Sequence, residues 1–271
     1  MSGGLIVRIP ISGQGVHAAT GGRAHQPGRP LAVFVHGAGL DHTVWAFQSR
    51  WLAFHGWNVL AVDLPGHGLS AGLPLADIGG MAAWLAELIA ATGTEPAALI
   101  GHSMGALIAL ETAARFPARV RSIALLGAAL AMPVHPELLT AAAANAHTAI
   151  DMVNLWGYGY AAGLGGSRAP GIWMVGAGER ILEKAKPGIL HTDLKACDAY
   201  GNAAAAAAGV KAPSLMVCGA RDQMTPLKSG RALAALLTGV KLVVLEGAGH
   251  MLMAERPYEV QDALAQHCSV S

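Results

Sequence analysis

The chain is short of charge. Only 13% of its 271 residues are Asp, Glu, Lys or Arg, and the formal net charge is +1. A nucleic-acid binder would carry a basic face, so that class is excluded. Cysteine is scarce too: Cys197, Cys218 and Cys268 form neither a disulfide framework nor a metal-ligand spacing. The twelve histidines are scattered without a His-Glu-x-x-His or paired-ligand pattern, so neither a metal nor a cofactor is expected. Long apolar runs are missing as well. The longest, Ile123 to Val134, falls short of the ~20 residues a bilayer span needs. Met1-Ser2-Gly3-Gly4 lacks the basic start of a signal peptide. These absences lead to the expectation of a soluble, cytoplasmic protein with a small-molecule partner, no membrane partner, and homo-oligomerisation left open.

What is present is apolar. Hydrophobic residues make up 53% of the chain, enough for a sizeable core. Leu5–Ile11 suits a first strand, and residues 12–30, rich in Gly, His and Pro, read as turns with one weak strand. Continuous apolar runs at 31–35, 58–62, 97–100, 120–126, 213–218 and 241–245 are those of strands buried on both faces of a parallel sheet. Helical spacing or composition covers 41–54, 78–92, 226–237, 254–267 and the segment ending at Phe116. Strands alternating with helices imply an α/β fold, a mostly parallel sheet covered on both faces.

Residues 133–209 break the rhythm. Leu138–Ile150 and the stretch around 193–208 look helical, and 156–178 carries eight glycines in 23 residues together with Trp156, Tyr158, Tyr160 and Trp173. This interval reads as an inserted, mainly helical cap that splits the main unit into 1–132 and 210–271, because lids are the usual reason for so long an excursion. Trp156, Tyr158 and Trp173 are its candidate pocket residues.

Gly101-His102-Ser103-Met104-Gly105 lies between a strand and a helix, the setting of a nucleophile elbow. There Ser103 would take a strained backbone with positive φ, and flanking glycines would let strand and helix nearly touch. A serine hydroxyl needs a base, and the base needs a carboxylate to hold its tautomer. Asp222 stands after the strand ending at Cys218, 119 residues beyond Ser103, and His250 stands 28 residues further, after the last strand. In a parallel sheet all three reach the same edge. The stretch after the sixth strand, Gly127-Ala128-Ala129-Leu130, holds no carboxylate.

With His36-Gly37-Ala38-Gly39, Asp63-Leu64-Pro65-Gly66-His67-Gly68-Leu69-Ser70, Gly219-Ala220-Arg221-Asp222 and Gly249-His250 in the same order, the chain resembles the α/β-hydrolase superfamily, in its cap-bearing serine-hydrolase branch, from about Leu31 onward. The resemblance implies Ser103, Asp222 and His250 as a catalytic triad. It implies the backbone N–H groups of Ala38 and Met104 as the oxyanion hole, with their side chains shaping an apolar floor. His36 would support the first oxyanion loop, while Asp63, His67 and Ser70 would brace a loop and His102 would line the pocket. A Ser nucleophile implies hydrolysis of small-to-medium, mostly apolar carboxylic esters. Hydrolysis of a carbon–carbon bond, or perhydrolase or acyltransferase chemistry, stays open on the same triad. A cap arginine, Arg168 or Arg180, facing the site would favour a carboxylate-bearing substrate.

Overall fold

The computed structural model describes residues 6–270; Leu5, expected to open the first strand, lies outside the described residues. Eight strands form one sheet: β1 (Ile6–Ile11), β2 (Gln14–Ala19), β3 (Leu31–Val35), β4 (Asn58–Val62), β5 (Ala97–His102), β6 (Val120–Leu126), β7 (Ser214–Gly219) and β8 (Lys241–Leu245). Their order is β1-β2-β4-β3-β5-β6-β7-β8. The pairs β1–β2 and β2–β4 are antiparallel, and every other pair is parallel. β2 is a full strand rather than a weak one. Ser12 and Gly13 both take positive φ, the backbone of a two-residue hairpin turn whose twist matches the strands, and they pair β2 directly onto β1.

Every residue of β3, β4 and β5 is buried. Alternate side chains enter two different cores: Leu31, Val33 and Val35 point to one face, Ala32 and Phe34 to the other. The first face is covered by α2 (Ile78–Thr92) and α3 (Met104–Arg115); the second by α1 (Ala46–Phe54) and, beyond β8, by α12 (Pro257–Val270). Asp77 caps α2 by accepting from Gly80 N, and Gly93 closes it in the left-handed conformation. The helix expected over 41–54 divides into a 3₁₀ turn, His42–Trp45, and α1. The division falls at Trp45, whose wholly buried ring packs 5.2 Å from that of Phe34. The expected closing helix over 254–267 is likewise two pieces, a short Leu252–Glu255 turn and Pro257–Val270. Arg256 precedes a proline, which forbids it the helical backbone.

Six helices lie between β6 and β7: α4 (Pro136–Ala143), α5 (His147–Gly157), α6 (Tyr160–Gly163), α7 (Met174–Lys184), α8 (Ile189–Asp198) and α9 (Ala203–Gly209). α4, α5 and α8 share a small core of Leu138, Ala142, Ala149 and Leu194. Ala203, Ala206 and Ala207 of α9 join the main core beside α3, as do Ala196 and Cys197 at the end of α8. Returning through β7, the chain forms α10 (Leu227–Ala234), then β8, α11 (Leu252–Glu255) and α12. Among the described residues no helix is long and apolar enough to cross a membrane.

Candidate active site

The turn from β5 into α3 is as tight as chemistry allows. A Cβ on Gly101 would stand 2.2 Å from the Gly105 carbonyl oxygen, and one on Gly105 would stand 2.2 Å from that of Val35. Ser103, between them, has φ 54° and ψ −118°, one of only three described non-glycine residues with positive φ. Its strained backbone is locked by a hydrogen bond from Ser103 N to Leu126 O at 2.9 Å. Met104 opens α3, so its N–H belongs to the unpaired first turn of the helix, where negative charge is stabilised. The Met104 side chain is buried in the main core, away from the cavity, which corrects the expectation that it shapes the floor; Ala38 does line the cavity.

His250 is held on every side. Its Nδ1 lies 2.8 Å from Asp222 Oδ2, its backbone N–H donates to Gly157 O at 2.8 Å, and its own carbonyl accepts from His102 Nε2 at 2.9 Å. The Asp222 contact places the proton on Nδ1, which leaves Nε2 with a free lone pair. Asp222 is fully occupied: Oδ1 accepts from Met224 N and Thr225 N, and Oδ2 accepts from Thr225 Oγ1 as well as from the imidazole. Burial alone would raise its pKa, but the His250 charge and these hydrogen bonds outweigh it and hold the carboxyl below its usual range. Thr225 was not foreseen. Its position three residues after Asp222 is an Asp-turn spacing that could have pointed to it.

Ser103, Ala38, His102 and His250 line one cavity of about 300 Å³, at the lower end of the ~300–1,000 Å³ typical of small-molecule sites. No hydrogen bond closes between Ser103 Oγ and His250; such bonds often tighten only when substrate arrives. Much of the rest of the wall is apolar, with Met132, Leu138, Val153, Leu182, Leu190 and Met251; His135, Asn154, Gln223 and Thr225 also line it, and no Asp, Glu, Lys or Arg does. Trp156 and Tyr158 are in the wall, the latter donating its hydroxyl to Met174 O at 2.8 Å. Trp173 is not: it is 69% exposed and lies against Gly176 on the outer side of α7. Arg168 and Arg180 are also outside, paired with Glu259 and with Glu179 and Glu183 at the surface.

His102 is buried, its pKa lowered to about 3 by desolvation and by the neighbouring His250. It is therefore a neutral prop for the His250 carbonyl. His36, lowered to about 4 by burial, is also neutral; its Nδ1–H donates to Gly37 O and its Nε2 accepts from Leu64 N. It clips the loop after β3 to the loop after β4. Asp63 and Ser70 brace that second loop, through Leu69 N and His42 and through the Asp63 carbonyl. His67 does something else: its Nε2 reaches Asp193 Oδ2 on α8 at 2.7 Å.

Two groups of described residues bring three potential metal donors together: His17, His42 and Asp63, and His147, Glu179 and Glu183. Neither lines the cavity. The Asp63 oxygens already accept from His42 N, His42 Nδ1 and Leu69 N, which commits them to the loop.

The sheet order, the elbow and the position of His250 define a class, and comparison with known proteins gives it a family. Residues 32–263 match the family described as "Alpha/beta hydrolase family", so the chain belongs to that family and is a hydrolase. It is 32% identical to the pimeloyl-[acyl-carrier protein] methyl ester esterase of Chromobacterium violaceum over 88% of this chain and 94% of that one. It is 34% identical to the protein of the same description from Neisseria meningitidis serogroup B (strain H44/76), over 72% of this chain and 76% of that one. Among solved structures, an enol-lactonase from Burkholderia xenovorans LB400 shares the fold with a TM-score of 0.86 at 24% identity, covering 97% of this chain and all of that one.

Proposed function

We propose that this hydrolase cleaves small-to-medium, mostly apolar carboxylic esters through an acyl-enzyme. The single observation that carries the reading is a buried Asp222–His250 pair whose free Nε2 shares with the elbow serine a cavity without Asp, Glu, Lys or Arg. In this mechanism Nε2 takes the Ser103 proton as Oγ attacks the acyl carbon. The backbone N–H groups of Ala38 and Met104 receive the developing oxyanion. His250 then protonates the leaving alcohol, and a water molecule, activated by the same nitrogen, releases the acid. The reaction needs only ester and water.

The cap, expected over 133–209, covers the cavity, and we take its mobile part to end within α8, because Ala196 and Cys197 at the end of α8 and the alanines of α9 are built into the main core. A wall without Asp, Glu, Lys or Arg supports neutral acyl groups and speaks against a substrate that presents a free carboxylate, the carbon–carbon cleavage alternative. The relatives named for a pimeloyl methyl ester support an acyl group of medium length.

A fluorophosphonate probe should label Ser103, and Ser103→Ala should lose on the order of 10⁴-fold or more in turnover of p-nitrophenyl esters. In the same ester series kcat/KM should rise to about butyrate or hexanoate, each buried methylene contributing ~0.8 kcal/mol, and then fall. Trp156→Ala should move that maximum to longer chains, whereas Trp173→Ala should not. Labelling at another residue, or a maximum at C12 or beyond, would overturn the reading.

A further inference from the structure

The cap and the first oxyanion loop meet around Gly39, with Ala38 also packed on the cluster of Leu138, Ala142, Ala149 and Leu194. Gly39 follows Ala38 directly and has φ +69°, so the loop turns there. A Cβ on it would stand 2.9 Å from both Leu182 Cδ2 of α7 and Leu190 Cδ1 of α8. Its N–H donates to Asp193 Oδ2, again on α8, at 2.8 Å. The same oxygen accepts from His67 Nε2, and His67 Nδ1 lies 3.0 Å from Pro65 O. Both ring nitrogens thus face acceptors, which only a doubly protonated ring satisfies in full; burial would lower the His67 pKa, but the Asp193 hydrogen bond and charge raise it above its ordinary value. Asp193 is wholly buried and its Oδ1 has no partner. A buried carboxylate with an orphan oxygen is costly, so its retention calls for a reason.

We propose that Asp193 is a positioning residue for the oxyanion hole: seated on the cap, it fixes Gly39 and, through His67, the loop after β4, so that the Ala38 N–H is aimed only when the cap is in place. The inference rests on the esterase reading above. The chain of contacts is continuous. α8 holds Gly39, His36 ties Gly37 to Leu64, and His67 ties the residues just beyond Leu64 back to α8. Ala38 sits inside that ring of contacts. A cap that lifts takes Asp193, Leu182 and Leu190 away together, and the peptide carrying Ala38 loses its support on the cavity side. Coupling of this kind would let an open site admit ester without reacting and would complete the transition-state contacts on closure.

The test compares Asp193→Ala, Asp193→Asn and wild type on one short p-nitrophenyl ester. The hole acts on the transition state, so the loss should fall on kcat, with KM changed less than about threefold. Removing an oxyanion donor outright costs ~10²–10³ in kcat, so a misaimed donor should cost about 10–100-fold in Asp193→Ala. Asp193→Asn keeps an acceptor for Gly39 N–H and should recover part of it. A boronic acid, which forms a tetrahedral adduct on a serine, should bind more weakly by a similar factor. Hydrogen exchange should show residues 37–40 losing protection in Asp193→Ala while β5 and β7 keep theirs. Unchanged kcat, a loss confined to KM, or unaltered exchange at 37–40 would overturn the proposal. Exchange does not depend on turnover, so wild-type protein that hydrolyses no ester would refute the esterase reading while the exchange result still judges the strut. Should Asp193→Ala not fold, Asp193→Asn and His67→Gln give the same comparison in kcat and exchange.

Discussion

Two buried imidazole–carboxylate pairs stand in this molecule, and they differ in what they leave free. His250 and Asp222 meet at 2.8 Å in loops after β8 and β7; His67 and Asp193 meet at 2.7 Å between the loop after β4 and α8. In the first pair the carboxylate is saturated by Met224, Thr225 and the imidazole, and the ring keeps one nitrogen for the cavity. In the second the ring spends both nitrogens, and it is the carboxylate that keeps an oxygen unpaired. On the proposals above, the same two residue types therefore make a proton acceptor in one place and a strut in the other. The acceptors around each ring differ: a carboxylate faces Nδ1 alone in His250, whereas both nitrogens of His67 face an acceptor.

The widest separation between the pairs should come from Asp222→Asn. An amide at that position can accept or donate, so it no longer forces the His250 proton onto Nδ1. Turnover should fall by roughly 10⁴-fold with the fold retained, far beyond the 10–100-fold expected from loss of Asp193. If kcat after Asp222→Asn falls no further than after Asp193→Ala, the two pairs do not divide into base and strut, and the comparison fails.

How far each pair could be read from the chain follows from how local its cause is. Ser103 was legible because an elbow needs Gly101 and Gly105 within two residues on either side, where a Cβ would strike backbone. Asp222 and His250 were legible because runs such as 213–218 and 241–245 mark strand ends in a parallel sheet. The runs also defined the fold class. Asp193 was not legible: it lies 126 residues from His67, in a helix with no distinctive pattern, and only the docking of the cap brings the two together. The aromatic residues of the cap show the same limit. Composition could not tell that Trp156 faces the cavity and Trp173 the solvent, because direction is set by how α5 and α7 pack. β2 is hard to read from the chain because Gln14, Gly15 and His17 break its apolar pattern, and the Ser12-Gly13 turn fixes it.

A smaller effect should come from Thr225, which has no counterpart beside Asp193. Its hydroxyl donates to Asp222 Oδ2 at 2.6 Å and lies 3.2 Å from His250 Nδ1. Thr225→Val keeps the volume and the backbone donor at Oδ1 but removes that hydroxyl. A hydrogen bond to a charged group contributes ~1.5–3 kcal/mol. Steady-state kinetics should therefore show about a tenfold loss in kcat, with little change in KM. A rate equal to wild type would mean that the Asp222 carboxylate is held by the turn alone and that its saturation is incidental.

The smallest effect is on stability, and here the two pairs should act in opposite directions of pH. Burial would lower the pKa of His67, but the Asp193 hydrogen bond and charge outweigh it, and the group is raised above its ordinary 6.5. Stability from a raised group is fully present below the unfolded value and is lost as pH rises through the folded one. Asp222 is lowered below its ordinary 3.8, so its contribution is present above that value and is lost as pH falls through the folded one. The titratable groups that face His67 and Asp193 are His36 and Asp63 from neighbouring elements and Cys197 on α8 itself. His36 is already neutral well below the relevant range, and burial pushes the Cys197 thiol far up, so neither titrates there. Thermal melts from pH 3 to pH 10 should then show Asp193→Asn flattening the alkaline fall in Tm and Asp222→Asn flattening the acid one, each by a few degrees. An alkaline fall that persists unchanged in Asp193→Asn would show that His67 is not held as a cation, and the strut would be an ordinary neutral hydrogen bond.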